Sequence, residues 1–528
     1  MATLDDSIWS LEFAGAARIP GWDGALAREV QQHFAAFAEG RIAPLDGPGD
    51  LQGCRFDKGR VVLPDGFADA YRELAEGGWQ GLSAPAEFGG QAQGPAVQAL
   101  VSEIFSGACH ALQMVTGLAP GAVRLLRMVA SPEQQARFIP ELASGAWLAT
   151  MCLTEPEAGS DLSRIRTCAR QGADGWQIDG EKIFISGGDQ DASGNILHLV
   201  LARTGPERTR GLSLFACPAI LPDGQRNGVR VARIEHKMGL HASPTCHMVF
   251  DACQAELIGE PGQGLAAMFL LMNHARLDVG LQGVAHAARA HAIAQAHAVE
   301  RVQGRDADGR PARLADHPDV ARMLAEMDSR TLAARALIHT ALVALETGQD
   351  ALAEFLTPMA KVTGSDTGTA VADTAIQVLG GYGYLQEYRL EQTYRDARIC
   401  AIYEGANGIH ALTLATRGLS HAGGAQAAAF ARHIESVAQD QPNDLLQTAL
   451  HDWQSLADQV RAAPAEMAHA FMQGSIALMN LAFWQRVARE CPDDARLQAL
   501  VPMARHRAVQ RLKASLQPVP QAREPALC

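Results

Sequence analysis

Residues 151–161 read MCLTEPEAGSD, and the character of the chain changes there. Upstream the apolar residues recur at helical spacing, as Leu26, Val30, Phe34 and Phe37 do within residues 23–42. A Gly/Pro-rich segment over residues 47–53 predicts a break. A helical pattern over residues 67–76 stops at Gly77-Gly78, and residues 83–94 are rich in turn formers. Further helices are expected up to residue 148, one of them opened by the cap signal Ser131-Pro132-Glu133. Downstream the pattern is that of short strands. Trp176–Ile178 and Lys182–Ile185 flank Asp179-Gly180, which predicts a hairpin. Residues 196–202, 211–217, 229–234 and 245–250 predict four more strands, together a compact antiparallel β domain, either a small barrel or a sandwich.

Helical spacing returns at Gly264 and runs without proline to Val302, enough for a helix of more than about 50 Å. Residues 316–347, 351–380 and 405–419 supply the other helices of a bundle. A Gly-containing linker at residues 420–425 leads to a last helical module, and the tail from Pro518 is expected to fray. The expected organisation is multidomain α+β: an N-terminal helical domain over 1–149, a middle β domain over 150–258, a helical bundle over 259–420 and a helical C-terminal extension over 426–516.

Composition narrows the function classes. The chain has 528 residues, 48% of them hydrophobic and 20% charged, which is the composition of a packed globular protein. Its formal charge of −13 argues against a general nucleic-acid binder, because phosphate backbones need a basic face. No run of about 20 apolar residues is present, so no membrane span is expected. The N-terminus MATLDDSIWS carries no basic n-region, and a cytoplasmic location is expected. Ten scattered cysteines with no CxxC pair read as small buried hydrophobes, with no metal site expected. The basic cluster Arg505–Lys513 sits in a charge-balanced module and reads as a solvated helix face.

Two stretches can carry chemistry. In the first, Thr154 and Ser160 offer hydroxyls and Gly159 permits close backbone approach, which suits the edge of a cofactor; a capped interdomain loop has the same composition. The second is Gln377–Tyr384 (QVLGGYGY) with the following YRDARICAIYEGANGI of residues 394–409. Gly380, Gly381 and Gly383 can let a phosphate approach backbone, although the spacing is not that of a Rossmann fingerprint. Glu404 is a lone carboxylate between Tyr403 and Gly405, where an apolar approach suits a base; a helix-capping acid is the plainer reading.

Taken together and in order, TEPEAGSD, EKIFIS, QVLGGYGY, RDARI and IYEG resemble the acyl-CoA dehydrogenase superfamily over roughly residues 60–420. The segments ISGGDQ, EHKMGL, MNHARL and ERVQGR further resemble its long bacterial branch, which includes methylmercaptopropionyl-CoA dehydrogenases and carries a C-terminal helical extension. The resemblance implies an N-terminal helical domain, a middle antiparallel β barrel and a C-terminal four-helix bundle. It implies FAD as cofactor, lined by Met151, Leu153, Thr154, Gly159 and Ser160, with Phe184 and Ser186 against the flavin ring. Arg301 matches an arginine that reaches the FAD pyrophosphate of a neighbouring subunit, and Gln377, Gly380 and Gly381 match the segment receiving the adenosine part. That implies a homodimer or homotetramer. Ser160, Arg276, Tyr403 and Gly405 are implied at the acyl-CoA, and Glu404 as the base that takes the α-proton while flavin accepts the β-hydride. The product is a trans-2-enoyl-CoA, and electrons pass to an electron-transfer flavoprotein. Alternatives are a carrier-protein-bound acyl group, an oxidase, or a flavin-binding protein with a nucleic-acid or scaffolding role. Ala406 and His410 depart from the Thr and Gln common in the family.

Overall fold

The computed structural model describes residues 4–173, 175–439 and 444–517; the expected frayed tail lies outside them. The described residues divide into two compact units, one within Leu26–Asp278 and the other within Met1–Ala25 and Val279–Cys528. In chain order come α1 (Leu4–Phe13), α2 (Gly24–Phe37), α3 (Ala43–Gln52), the hairpin β1 (Arg55–Asp57) and β2 (Arg60–Val62), α4 (Phe67–Glu76), α5 (Pro95–Thr116), α6 (Leu118–Val129) and α7 (Pro132–Ala143). The strands of the large sheet follow: β3 (Trp147–Cys152), β4 (Cys168–Gly172), β5 (Gly175–Ser186), β6 (Asn195–Arg203), β7 (Leu212–Pro218), β8 (Val229–Ile234) and β9 (Thr245–Ile258). Then come α8 (Gly264–Glu300), the hairpin β10 (Val302–Arg305) and β11 (Pro311–Arg313), α9 (Pro318–Glu346), α10 (Asp350–Leu379), α11 (Leu390–Ala397) and α12 (Asn407–Thr413). The C-terminal extension is α13 (Ala425–Gln439), α14 (Asp444–Ala462), α15 (Pro464–Glu490) and α16 (Ala495–Ser515).

Several helix ends follow from local chemistry. Ser131 caps α7 with a full capping box to Gln134. Gly66, at φ 83°, opens α4, whose C-cap is Gly77. The Gly/Pro-rich segment over 47–53 departs from expectation, since most of it is the helix α3. Pro48 stands inside the helix without an N–H to give its ladder, and Gly49 lies so close to Phe67 that a Cβ would stand 2.7 Å from its ring. Tertiary packing overrides the weak local propensity.

The large sheet runs β3-β6-β4-β5-β9-β7, with β7 also pairing β6 and β8 pairing β9, so β6, β4, β5, β9 and β7 form a closed ring. The expected barrel is present, but it is mixed: β3 and β4 both run parallel to β6. A compact interior of Ile178, Ile185, Val200, Phe215, Cys217, Met248, Phe250 and Cys253 fills it.

The hairpin expected at Asp179-Gly180 is absent, because those residues lie inside the single strand β5. The chain reverses instead where Gly172 pairs with Gly175. Gly180 has φ 149° and passes so near Thr167 that a Cβ would sit 2.7 Å from its Cα, while the Asp179 carboxylate accepts from Ala252 N at 2.9 Å. Here glycine serves a close approach at a β-bulge and not a turn.

In the other unit, α8, α9 and α10 share a core of alanines with Leu324, Met327, Val371 and Leu379. Gly280 and Gly283 of α8 face Gly364 and Gly368 of α10, and the two backbones touch. A Cβ on Gly283 would collide with the Gly364 carbonyl, and one on Gly364 with that of Gly280. We expect Gly364→Ala to lower stability by about 1–3 kcal/mol through overpacking. Gly40→Ala, where a Cβ meets nothing within 4 Å, is the neutral control in the same thermal melt.

The extension is built into this unit. Phe430, Trp453 and Phe471 gather around Phe355 of α10, and Trp9 and Phe13 of α1 pack with Phe483 of α15. Arg496 of α16 binds both Asp6 (2.9 Å) and Asp328 (2.6 Å). The basic cluster at 505–513 is not wholly a solvated face: Arg507 pairs with Glu326 at 3.1 Å. Among the described residues no helix is long and apolar enough to cross a membrane.

Candidate functional site

In the Leu26–Asp278 unit, β3 delivers the first motif at its C-terminal end. Met151 and Thr154 are half-buried, Leu153 is buried, and Gly159 and Ser160 are exposed. Lys182 of β5 organises this loop. Its side chain is fully buried, and Nζ donates to the Leu153 carbonyl (2.9 Å) and to Glu155 Oε1 (2.8 Å). Glu155 also accepts from the backbone N–H groups of Arg166 (2.6 Å) and Thr167 (3.1 Å). Burial opposes the charge on Glu155, but the Lys182 ammonium and these donors outweigh it and hold the carboxyl below its ordinary value.

The next residue, Ile183, donates from N to the Thr154 carbonyl at 2.8 Å. A register shift between Lys182 and Ile185 then bulges β5 and puts Phe184 at φ 60°, with the residue 61% exposed. One bulged strand therefore pins the Met151–Glu155 segment and turns an aromatic face outward, with the half-buried Ser186 two residues on. Lys182 and Glu155 lie in the quoted motifs EKIFIS and TEPEAGSD, but the motifs give them no role. The available signal was phase: Lys182 shares the strand face of buried Ile178, where a lysine needs a partner. Arg276, in the first part of α8, is half-buried, 5.6 Å from the Phe269 ring, and donates to Asn273 Oδ1 at 2.9 Å.

In the other unit, Arg301 directly follows α8 and its guanidinium lies 5.2 Å from the Tyr382 ring. Tyr382 belongs to the turn Gly380–Tyr384 that ends α10, so Arg301 stands beside the segment containing Gln377, Gly380 and Gly381. These three are exposed. A Cβ on Gly380 or Gly381 would meet nothing within 4 Å, so the glycines leave open surface there, whereas one on Gly383 would strike the Ile376 carbonyl. Gly383 is thus a packing glycine and the first two are the candidates for a cradle.

Glu404 and Gly405 form a left-handed step, with φ 54° and 94°. Tyr403 precedes it and donates its hydroxyl to Gln282 of α8. The Glu404 carbonyl accepts from His410 Nε2 at 3.0 Å, and the Gly405 carbonyl from Lys361 Nζ at 2.8 Å. Lys361, fully buried on α10, also reaches Asn407 Oδ1 at 2.9 Å. Asn407 Nδ2 in turn donates to Ser365 Oγ (3.1 Å) and Asp366 Oδ1 (2.8 Å). Burial holds the Asp366 carboxyl above its ordinary value, against the Asn407 bond. Sequence reading singled out Glu404 but not Lys361, whose acceptors lie more than forty residues downstream.

The sequence profiles of the acyl-CoA dehydrogenase N-terminal, middle and C-terminal domains match residues 26–146, 150–253 and 262–419. A 3-methylmercaptopropionyl-CoA dehydrogenase of Ruegeria pomeroyi is 42% identical over 78% of this chain and 74% of its own length. The broad-specificity linear acyl-CoA dehydrogenase FadE5 of Mycobacterium tuberculosis is 36% identical over 73% of this chain and 68% of its own. Among solved structures, an acyl-CoA dehydrogenase of Bacillus anthracis complexed with FAD superposes with a TM-score of 0.77 at 22% identity, over 94% of this chain and 88% of that one. At that identity the likeness speaks for the fold, the extension included.

Proposed function

The chain belongs to the acyl-CoA dehydrogenase family, and on that premise we propose that it converts an acyl-CoA thioester to the trans-2-enoyl-CoA with Glu404 as the base. The observation that carries this reading is the left-handed Glu404–Gly405 step, which presents one carboxylate from a backbone held by side chains on both carbonyls.

The residues present fit FAD. The outward ring of Phe184, with the hydroxyls of Ser186 and Thr154 nearby in the same barrel segment, suits a flat ring with polar edges. Arg301 beside the open surface at Gly380 and Gly381 suits a pyrophosphate and the adenosine part. When bound, FAD supplies the acceptor for the β-hydride. The chain's own residues do the rest. Arg276 and Ser160 hold the CoA thioester, and Glu404 receives the α-proton as the C–H pair becomes the new double bond. The product leaves with two hydrogens fewer, one now on the carboxyl group and one transferred with its electron pair to the cofactor.

The family places Arg301 against the FAD of a neighbouring copy, so a homodimer or homotetramer is part of the proposal. An electron-transfer flavoprotein is the proposed acceptor of the electrons. The test is anaerobic titration of the purified yellow protein with propanoyl-, butanoyl-, octanoyl-, palmitoyl- and 3-methylthiopropanoyl-CoA. At least one is expected to bleach the flavin absorbance stoichiometrically. A flavin that none of them reduces overturns the reading.

A further inference from the structure

We propose that Lys361 and His410 are positioning residues for Glu404, which together hold the two carbonyls of the Glu404–Gly405 step and so fix the direction of the carboxylate. The inference rests on the reading of Glu404 as the base.

A glutamate at φ 54° occupies a region that side chains other than glycine rarely adopt. Followed by a second residue at φ 94°, it turns two successive carbonyls away from any helical ladder. Each is taken by one buried side chain, Glu404 O by His410 and Gly405 O by Lys361. Because a carbonyl only accepts, the imidazole hydrogen must sit on Nε2. The imidazole also fills the space over Gly405, where a Cβ would lie 2.9 Å from Nε2. With φ 94° already disfavouring a side chain, the imidazole adds a second reason for glycine at 405.

Lys361 ties the same turn to the bundle. Its second acceptor, Asn407, is bonded to Ser365 and Asp366, so residues 405 and 407 are fastened to one face of α10. That face is backed by the glycine contact between α8 and α10, which leaves little room for the helix to shift. Without the clamp the step relaxes towards right-handed backbone and swings the carboxylate, although its chemistry is unaltered. Proton transfer depends on reach before basicity.

The experiment uses the holoenzyme with whichever of propanoyl-, butanoyl-, octanoyl- or palmitoyl-CoA the wild type oxidises fastest. It compares Lys361→Met, His410→Leu, His410→Gln and Glu404→Gln. The readouts are kcat, KM, bound FAD and the isotope effect on kcat with the α-dideuterated thioester. Lys361→Met and His410→Leu are expected to lower kcat by about 10-fold or more with KM and FAD little changed. The isotope effect is expected to rise as proton transfer becomes slower. His410→Gln, whose amide can donate to the same carbonyl, is expected to recover most of the rate. The proposal is overturned if both clamp variants keep wild-type kcat and isotope effect. It is equally overturned if kcat falls with an unchanged isotope effect and glutamine rescues no better than leucine. Should Lys361→Met fail to fold, the two His410 variants decide by the same criteria. Turnover by Glu404→Gln would remove the base assignment itself, whereas an inactive Glu404→Gln beside unaffected clamp variants removes only the clamp.

Discussion

Glu404→Gln is expected to keep its FAD and its fold and to reduce that flavin with acyl-CoA at least about 10³-fold more slowly than wild type. The substitution is close to isosteric. Both carbonyls of the left-handed step remain available to His410 and Lys361, so the backbone has no reason to move. What is lost is a basic oxygen, since an amide has negligible affinity for a proton near neutral pH. General-base catalysis accounts for about 10²–10⁴-fold, and the α-hydrogen of a thioester is too weakly acidic to leave unaided. Stopped-flow reduction under anaerobic conditions measures the step directly, and the flavin spectrum before mixing reports retained cofactor. A reduction rate within about tenfold of wild type would falsify the assignment of the base. Loss of the flavin would instead give Glu404 a structural part in the site.

The helical halves were legible because their signals are local. The bounds of α4 follow from Phe67 and from Gly77-Gly78, and the start of α7 follows from the cap signal Ser131-Pro132-Glu133. Errors arose where one residue type serves two purposes. Gly180 permits close approach to Thr167, yet next to Asp179 it has the same local appearance as a turn glycine. Gly49 has the local look of a breaker, although the ring of Phe67 requires it. Strand direction was also hidden: β3 and β6 are separated by β4 and β5, and no local pattern distinguishes their parallel pairing from a meander. The motifs led to Glu404, Phe184 and the glycines at 380–381, while the side chains that hold them went unseen. Lys182 lies in the quoted motif EKIFIS and Lys361 in an expected bundle helix, but each acquires its role from a partner 27 to 46 residues away. Burial is what makes such residues consequential, and burial is a property of the assembled barrel and bundle.

Lys182→Met is the second large effect. The ammonium is wholly buried and its partner Glu155 is 5% exposed, so their attraction is little screened. Removing one member strands the other's charge in the barrel wall, at a cost of about 3–5 kcal/mol. For a unit of this size that lowers the midpoint of its thermal transition by about 10 °C. Glu155→Gln is expected to be comparably damaging, because the Lys182 ammonium would then lack its counter-charge and keep only weaker acceptors. The double replacement Glu155→Leu with Lys182→Met is expected to recover only part of the loss, since the N–H groups of Arg166 and Thr167 still lose their acceptor. The pH dependence has a definite sign. Glu155 is held below its ordinary value, so its contribution is complete above the usual carboxylate range, about pH 4–5, and is lost as pH falls through the lowered value. Without Lys182 the carboxyl titrates higher, and the acid limb of the stability curve should move towards neutral pH. The Leu153 carbonyl is released by the same substitution, so FAD occupancy should fall in parallel. Calorimetry of the wild type and Lys182→Met between pH 4 and pH 8 checks both, and coincident melting curves across that range would refute the role given to the pair.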